Sequence, residues 1–154
     1  MIIMVTALNV ANSLLQRGFA EDISITPMKL QKLIYFVYRD YYQQTDVPLF
    51  SERFETWQYG PVVRSVYDRF KMFGGRHITK YAFESDGKTV YIIDEQASKT
   101  LKIIIDNIWN KYKYYNGSSL SAITHQDGGA WKKANDTKSP ILRDDDIKTE
   151  VSVG

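Results

Sequence analysis

One segment, residues 27–44, constrains the fold more than any other because its apolar side chains extend around most of a helix. Thr26 can cap this helix, and Pro27 suits the first helical position, where an N–H has no partner. One face carries apolar and aromatic residues at helical spacing: Leu30, Leu33, Ile34, Val37, Tyr38 and Tyr41. Tyr35, Phe36 and Tyr42 lie outside that face. A helix that is apolar nearly all round is typical of the centre of a bundle.

The opposite side of the same helix allows a second interpretation. It carries an aromatic residue, Phe36, where a one-sided helix would be polar, together with Lys29, Lys32 and Arg39. Protein interfaces favour aromatic side chains and anchored cations. These four residues are therefore predicted to form an outward, partner-binding surface, and the competing interpretation buries Phe36 between helices.

The rest of the chain predicts a mainly helical α+β domain with about five or six helices and one small antiparallel hairpin. Residues 4–17 and 97–112 have helical periodicity. Residues 54–59 are predicted as a short strand or an extended segment, and Gly60-Pro61 as the start of the next helix.

The predicted hairpin follows from Asp86-Gly87, a two-residue turn signal. With that turn, Phe83 faces Val90 and Tyr81 faces Ile92. A lone two-stranded ribbon is marginal in water, so this face is expected to pack on the helices.

Composition limits the class of protein. A chain of 154 residues fits one domain, here residues 1–154 with a core at about 5–135 and an acidic segment, 136–154, as a short helix or loose tail. No apolar run reaches the ~20 residues of a membrane helix, and the beginning lacks a basic signal-peptide region. No membrane association is expected, and a cytoplasmic location is predicted.

Catalytic and metal sites are not predicted. The chain has no cysteine and 2 histidines, which excludes a thiolate site. His125 lies near several serines and Asp127, which would allow a hydrolase, but such serines usually cap helices. We instead expect His125 to be buried and hydrogen-bonded beneath Trp131, with no cofactor and no small-molecule substrate.

Three segments in a fixed order carry a resemblance to a known family. The first, at 26–36, includes Leu30, Gln31, Leu33 and Tyr35; the second, at 54–63, includes Trp57, Tyr59, Gly60, Pro61 and Val62; the third, at 120–134, includes Thr124, His125 and Trp131. Together they resemble the Panacea, or SocA-like, antitoxin domain of bacterial and prophage toxin–antitoxin modules. One departure is Ala130, where family members more often have proline before the tryptophan.

The resemblance covers about residues 5–135 and implies a non-enzymatic antitoxin that binds and neutralises a cognate toxin protein. The motif residues are expected to have structural roles, such as Gly60-Pro61 forming a corner.

Two alternative functions remain. Basic residues cluster between 53 and 80, which with the hairpin favours a winged-helix repressor that binds promoter DNA, although the net charge is only +2. The protein could also be an adaptor that delivers the toxin to a protease.

Overall fold

The computed structural model of the protein describes residues 5–96 and 98–151. Met4 and Ala97, which fall in predicted helices, lie outside the described residues. The helices are α1 (Ala7–Glu21), α2 (Pro27–Thr45), α3 (Arg64–Phe70), α4 (Lys99–Tyr112), α5 (Gly117–Thr124), α6 (Ala130–Asp136) and α7 (Asp144–Thr149), with one 3-10 turn at Lys71–Phe73. The strands are β1 (Glu55–Trp57) and β2 (Gly60–Val62). The predicted class, a mainly helical α+β domain, is confirmed.

Helix α2 is the centre of the fold. The Thr26 hydroxyl accepts a hydrogen bond from Lys29 N at 3.3 Å, and Pro27 occupies the first turn, as the sequence predicts. Every residue from 29 to 39 is buried. Helices α1, α3, α4, α5 and α7 and strand β2 all contact α2. The prediction of a central helix is therefore confirmed.

The antiparallel hairpin forms at a different place from the predicted one. Strand β1 pairs with β2, with Trp57 opposite Gly60 and Glu55 opposite Val62. The prediction that Gly60-Pro61 begins a helix is wrong, because both residues belong to β2 and α3 begins only at Arg64. Gly60 has φ +118°, which lets the chain turn back from β1 at a position that side-chain-bearing residues rarely adopt.

Residues 81–93 form a turn without a strand ladder, so the predicted hairpin there is wrong. The Asp86 carboxylate accepts hydrogen bonds from the backbone N–H groups of residues 88 and 89, both at 2.8 Å. The two arms, however, bond to α1: Asn12 pairs with the backbone of Ala82, and the Ser13 hydroxyl accepts from Ile93 N at 2.9 Å. Side chains of α1 thus take the backbone groups that a ladder would have used.

The face of that segment that packs on the core also differs from the prediction. Ala82 and Ile93 are each 8% exposed, whereas Phe83 is 37% exposed. Tyr81 packs edge-on against Phe19 and is only partly buried. Val90 and Ile92 are likewise half-buried. Ala82 and Ile93, which are sequence neighbours of the residues predicted to face inward, therefore hold residues 81–93 against the core.

The C-terminal segment, predicted as either a short helix or a loose tail, forms a short helix that packs on the core. Leu142 and Ile147 are both 1% exposed. The backbone of Leu142 donates to Phe54 O at 2.9 Å, which places the segment beside β1. Helix α7 then contacts α2 and α6.

Candidate functional site

The three sequence motifs meet where the β1–β2 hairpin packs on α2. Gln31, on α2, joins its side-chain amide to the backbone of Val63: Nε2 donates to the carbonyl at 3.1 Å, and Oε1 accepts from the N–H at 2.9 Å. The buried amide thus satisfies a backbone position that has no strand partner on that side. This pair fixes the end of the hairpin to the central helix.

At Gly60 the hairpin comes very close to side chains of α2 and α5. A Cβ at this position would lie 2.6 Å from Thr124 Oγ1 and 2.7 Å from Lys32 Cε. The Lys32 stem passes under the glycine, and its Nζ donates to Pro61 O at 3.2 Å. A glycine is required here both by the positive φ and by the two neighbouring side chains.

Helices α5 and α6 hold the other side of the hairpin turn. The Ser121 hydroxyl donates to Tyr59 O at 2.5 Å, and the indole Nε1 of Trp131 donates to Trp57 O at 2.8 Å. Both bonds satisfy carbonyls in or beside the two-residue turn between β1 and β2. The second and third motifs are therefore joined by direct hydrogen bonds from side chain to backbone.

His125 stacks on Trp131, with ring centroids 3.8 Å apart and an angle of 18° between the rings. The His125 side chain is only partly buried, and its Nε2 atom has no hydrogen-bond partner, which differs from the prediction of a buried, hydrogen-bonded histidine. Burial and the nearby charge of Lys32 lower the pKa of His125. Stacking holds this histidine, and its imidazole is disfavoured as a cation.

The arrangement around His125 lacks the contacts of a hydrolase. The hydroxyls of Ser121 and Thr124 donate to backbone carbonyls, of Tyr59 and of Ser121 itself, respectively. An activated nucleophile would instead donate to the histidine. Among residues 5–96 and 98–151, no group of three or more histidine and carboxylate side chains could hold a metal ion.

The predicted outward surface on α2 is wrong, because all four of its residues are buried. Phe36 is 0% exposed and stacks on Tyr112 with centroids 4.8 Å apart. The Arg39 guanidinium lies 4.9 Å from the Phe36 ring, and Lys29 Nζ donates to Lys113 O. Lys32 is 1% exposed and lies beneath the hairpin. The four side chains are therefore not available as an exposed surface.

Glu150 is a further member of this region that sequence reasoning missed. One carboxylate oxygen accepts from Tyr35 OH and from Ala130 N, and the other accepts from Arg39, all at 2.9 Å. Burial, together with the charge of Glu150, raises the pKa of Tyr35 well above its usual range. A buried Arg on a central helix requires a carboxylate partner, and that requirement was the available signal.

The Glu150 contact also uses the backbone of Ala130, the residue at which the resemblance leads us to expect a proline. The N–H of Ala130 donates to Glu150, and a proline there would have no N–H to give. The cap of α6 in this chain is therefore satisfied by a carboxylate from the C-terminal segment.

An apolar groove opens beside these contacts, bounded by α2, the β1–β2 hairpin and α3, and is called the hairpin groove below. Its cavity has a volume of about 360 Å³. Its walls are mostly apolar, and the lining includes Leu30, Val62, Val66, Phe70, Trp57 and Lys32. Tyr59 and Tyr67, also part of the lining, are 56% and 36% exposed.

The aromatic edge of the hairpin groove is held in place by a chain of contacts. The Trp57 ring packs edge-on against Tyr67 at 4.7 Å, and the Arg64 guanidinium lies 4.9 Å from Trp57. Glu55 accepts from Trp57 Nε1 at 2.9 Å and from Arg64 at 3.0 Å. The groove thus has a pre-formed edge of large side chains.

Comparison with known proteins identifies the family. The sequence model of the family described as antitoxin SocA-like, Panacea domain, matches residues 30–132. Antitoxin SocA of Caulobacter vibrioides (strain NA1000 / CB15N) is 32% identical over 129 residues, which cover 82% of this chain and 69% of that protein. No solved structure of another protein matches the chain. The chain belongs to the SocA-like antitoxin family, and this membership supports an antitoxin role in a toxin–antitoxin system and suggests a non-enzymatic protein.

The helices in the described part of the chain are too short or too polar for any of them to cross a membrane.

Proposed function

We propose that this protein is an antitoxin that neutralises its cognate toxin by forming a direct protein–protein complex, with the hairpin groove as the contact surface. The observation that carries the proposal is an apolar groove with exposed aromatic side chains at its edge, built from the family's own second motif. Monomeric proteins rarely expose such a patch without a binding role.

The groove has the features of a binding hot spot, the part of an interface that contributes most of the binding free energy. Tyr59 and Tyr67 combine a large apolar ring with a polar hydroxyl, which is the kind of side chain that dominates many interfaces. The hydrogen bonds from Ser121 and Trp131 fix the hairpin, so little freedom is lost when a partner binds.

This proposal replaces the earlier expectation about α2 in part. Lys32 is retained, because its side chain lines the hairpin groove. Lys29, Phe36 and Arg39 are assigned to the interior, where they hold α2 against its neighbours. Their effect on toxin binding would then follow from their effect on folding.

The alternatives raised by the sequence gain no support from the described residues. The segment predicted as a wing forms no strand, and α3 is a helix of 7 residues that packs on α1 and α2. A recognition helix must instead present its side chains to the major groove. No contact in this part of the chain favours promoter DNA or delivery to a protease over a direct complex.

The test uses the product of the adjacent reading frame, co-produced with this protein in a growth-rescue assay. Tyr59→Ser and Tyr67→Ser are expected to weaken the complex by about tenfold or more each, with loss of rescue and an unchanged circular dichroism spectrum. Tyr91→Ser is the matched control, because Tyr91 is 57% exposed, as Tyr59 is at 56%, but lies on the 81–93 segment.

Two outcomes decide against the proposal. Failure of the wild-type protein to bind the adjacent gene product would refute the direct complex. Full rescue by folded Tyr59→Ser and Tyr67→Ser variants would refute the groove as the contact surface, whatever the Tyr91→Ser control does.

A further inference from the structure

Lys32 is a buried cation without a counter-charge. The side chain is 1% exposed, and its amine makes one hydrogen bond, to Pro61 O at 3.2 Å, although an ammonium has three N–H donors. Burial alone lowers its pKa, to about 7, and no carboxylate of the described residues contributes. A buried charge without a partner is costly, so it is more often functional than structural.

The other buried polar groups of the hairpin groove already have partners. Both ends of the Gln31 amide bond to the Val63 backbone. The Trp57 indole N–H at the edge bonds to Glu55. Among the groove's buried lining side chains that the structure describes, Lys32 is the only ionisable one.

The remaining wall and the surroundings specify what could lie against Lys32. Leu30, Val66 and Phe70 make the inner wall apolar, and a cavity of about 360 Å³ has room for a large side chain. At the edge of the groove and on α3, Arg64 pairs with Glu55 and Lys71 with Asp68, so these surface cations already have partners. Lys32 is therefore the group in the groove lining that favours a carboxylate in a bound segment.

We propose that the hairpin groove binds a segment of the partner toxin in which an apolar side chain lies next to a carboxylate. The apolar side chain fills the cavity, and the carboxylate pairs with the Lys32 amine. The identity of the partner rests on the proposed function above, whereas the chemistry of the groove belongs to this chain alone. A protein segment is the occupant because the aromatic edge continues outward from the cavity as exposed surface.

The first test uses two small probes of the same shape, 4-phenylbutyrate and 4-phenylbutanol, followed by amide chemical shifts. We expect 4-phenylbutyrate to shift the signals of the groove and to bind about tenfold more tightly at pH 6.5 than the neutral alcohol, because it alone can pair with the amine. In Lys32→Met this preference should vanish. Equal affinities for the wild-type protein would overturn the carboxylate assignment.

The second test measures protons and needs no variant. A carboxylate beside Lys32 favours the charged amine, so at pH 8, above the pKa of about 7 that burial gives the free protein, binding should take up a proton. Calorimetric titrations of 4-phenylbutyrate in phosphate and in Tris would then differ in apparent enthalpy. Identical enthalpies would overturn the proposed pair even if the Lys32→Met variant failed to fold.

The third test uses the adjacent gene product. Lys32→Met should weaken its binding by about 30-fold or more, because the partner's carboxylate would lose its buried counter-charge. Lys29→Met is the matched control: Lys29 is also a buried lysine of α2, at 5% exposure, but bonds to Lys113 O away from the groove. Unchanged affinity in folded Lys32→Met overturns the inference. Absence of any binding by the wild-type protein instead refutes the proposed function, and the probe tests still decide the chemistry of the groove.

Discussion

Glu150→Ala is predicted to cause a large loss of stability, because its carboxylate joins the C-terminal segment to α2 and α6. Glu150 is 5% exposed and Arg39 is 1% exposed, and the two side chains bond at 2.9 Å. The same carboxylate accepts from Tyr35 OH and Ala130 N. Its removal leaves a buried hydroxyl, a buried N–H and a buried guanidinium with fewer acceptors.

The magnitude follows from those three losses. Each neutral buried donor left unsatisfied costs about 1–3 kcal/mol, and breaking a buried ion pair on one side costs about 3–5 kcal/mol. The terms are not additive, and Arg39 keeps its contact with Asp40 at 3.0 Å. We therefore expect a loss of about 3–5 kcal/mol in the free energy of unfolding, which lowers the melting temperature by about 10 °C or more.

Urea denaturation of a small series would test this reasoning. Glu150→Gln keeps the shape and an acceptor but not the charge, so it should cost about 1–3 kcal/mol. Arg39→Met combined with Glu150→Gln should lose less than the sum of the two single variants by about 1–2 kcal/mol, because the pair is broken only once.

A control separates this effect from general disturbance of α7. Asp145 lies in α7, which ends next to Glu150, but its side chain is 83% exposed and pairs with Arg143 at 3.7 Å. Asp145→Ala should change stability by about 0.5 kcal/mol or less. If Glu150→Ala cost less than about 1 kcal/mol, the carboxylate would not hold the C-terminal segment as described.

Three further predictions concern the hairpin, the 81–93 segment and pH. Gly60→Ala should lower the free energy of unfolding by about 3 kcal/mol or more in urea denaturation, because the new Cβ strains the backbone and overlaps neighbouring side chains. Gly87→Ala is the comparison: Gly87 also has a positive φ, +71°, but has open space around it, so the cost should be about 1 kcal/mol. Ile93→Ala should cost about 2–4 kcal/mol and Phe83→Ala under about 1 kcal/mol. If Phe83→Ala lowered the melting temperature more than Ile93→Ala does, Phe83 would face the core as the sequence predicts. For Lys32, the pKa falls from 10.5 to about 7 on folding, so between those pH values the unfolded chain holds a proton that the folded chain lacks. Wild-type stability should therefore rise with pH relative to Lys32→Met, and a constant difference between pH 7 and 9.5 would contradict this.

The sequence predicted the central helix well because the relevant signals are local. Thr26, Pro27 and the spread of apolar residues act within one helix, and the structure places each as expected. The Asp86-Gly87 signal is local too, and the turn does form. Whether its arms pair with each other depends on Asn12 and Ser13, about 70 and 80 residues away, which no turn rule includes.

The candidate site was harder to predict because its decisive contacts are distant in sequence. Lys32 and Arg39 are predicted at the surface because they lie opposite the apolar face of the helix, and helical periodicity cannot report how many neighbours a helix has. Their acceptors are a carbonyl 29 residues away and a carboxylate 111 residues away. Likewise, the requirement for glycine at position 60 follows from Lys32 and Thr124, and neither is close to it in sequence.

Two of the three buried cations of α2, Arg39 and Lys32, provide a comparison within one helix. Arg39 meets the carboxylates of Glu150 and Asp40, so the cost of burying its charge is offset inside the protein. Lys32, two turns earlier, is equally buried but meets one carbonyl and lines an open groove. A purely structural lysine would be replaced at little cost by an apolar residue of similar volume. The difference between the two sites therefore directs the search for a partner contact to Lys32 and the hairpin groove, and away from Arg39.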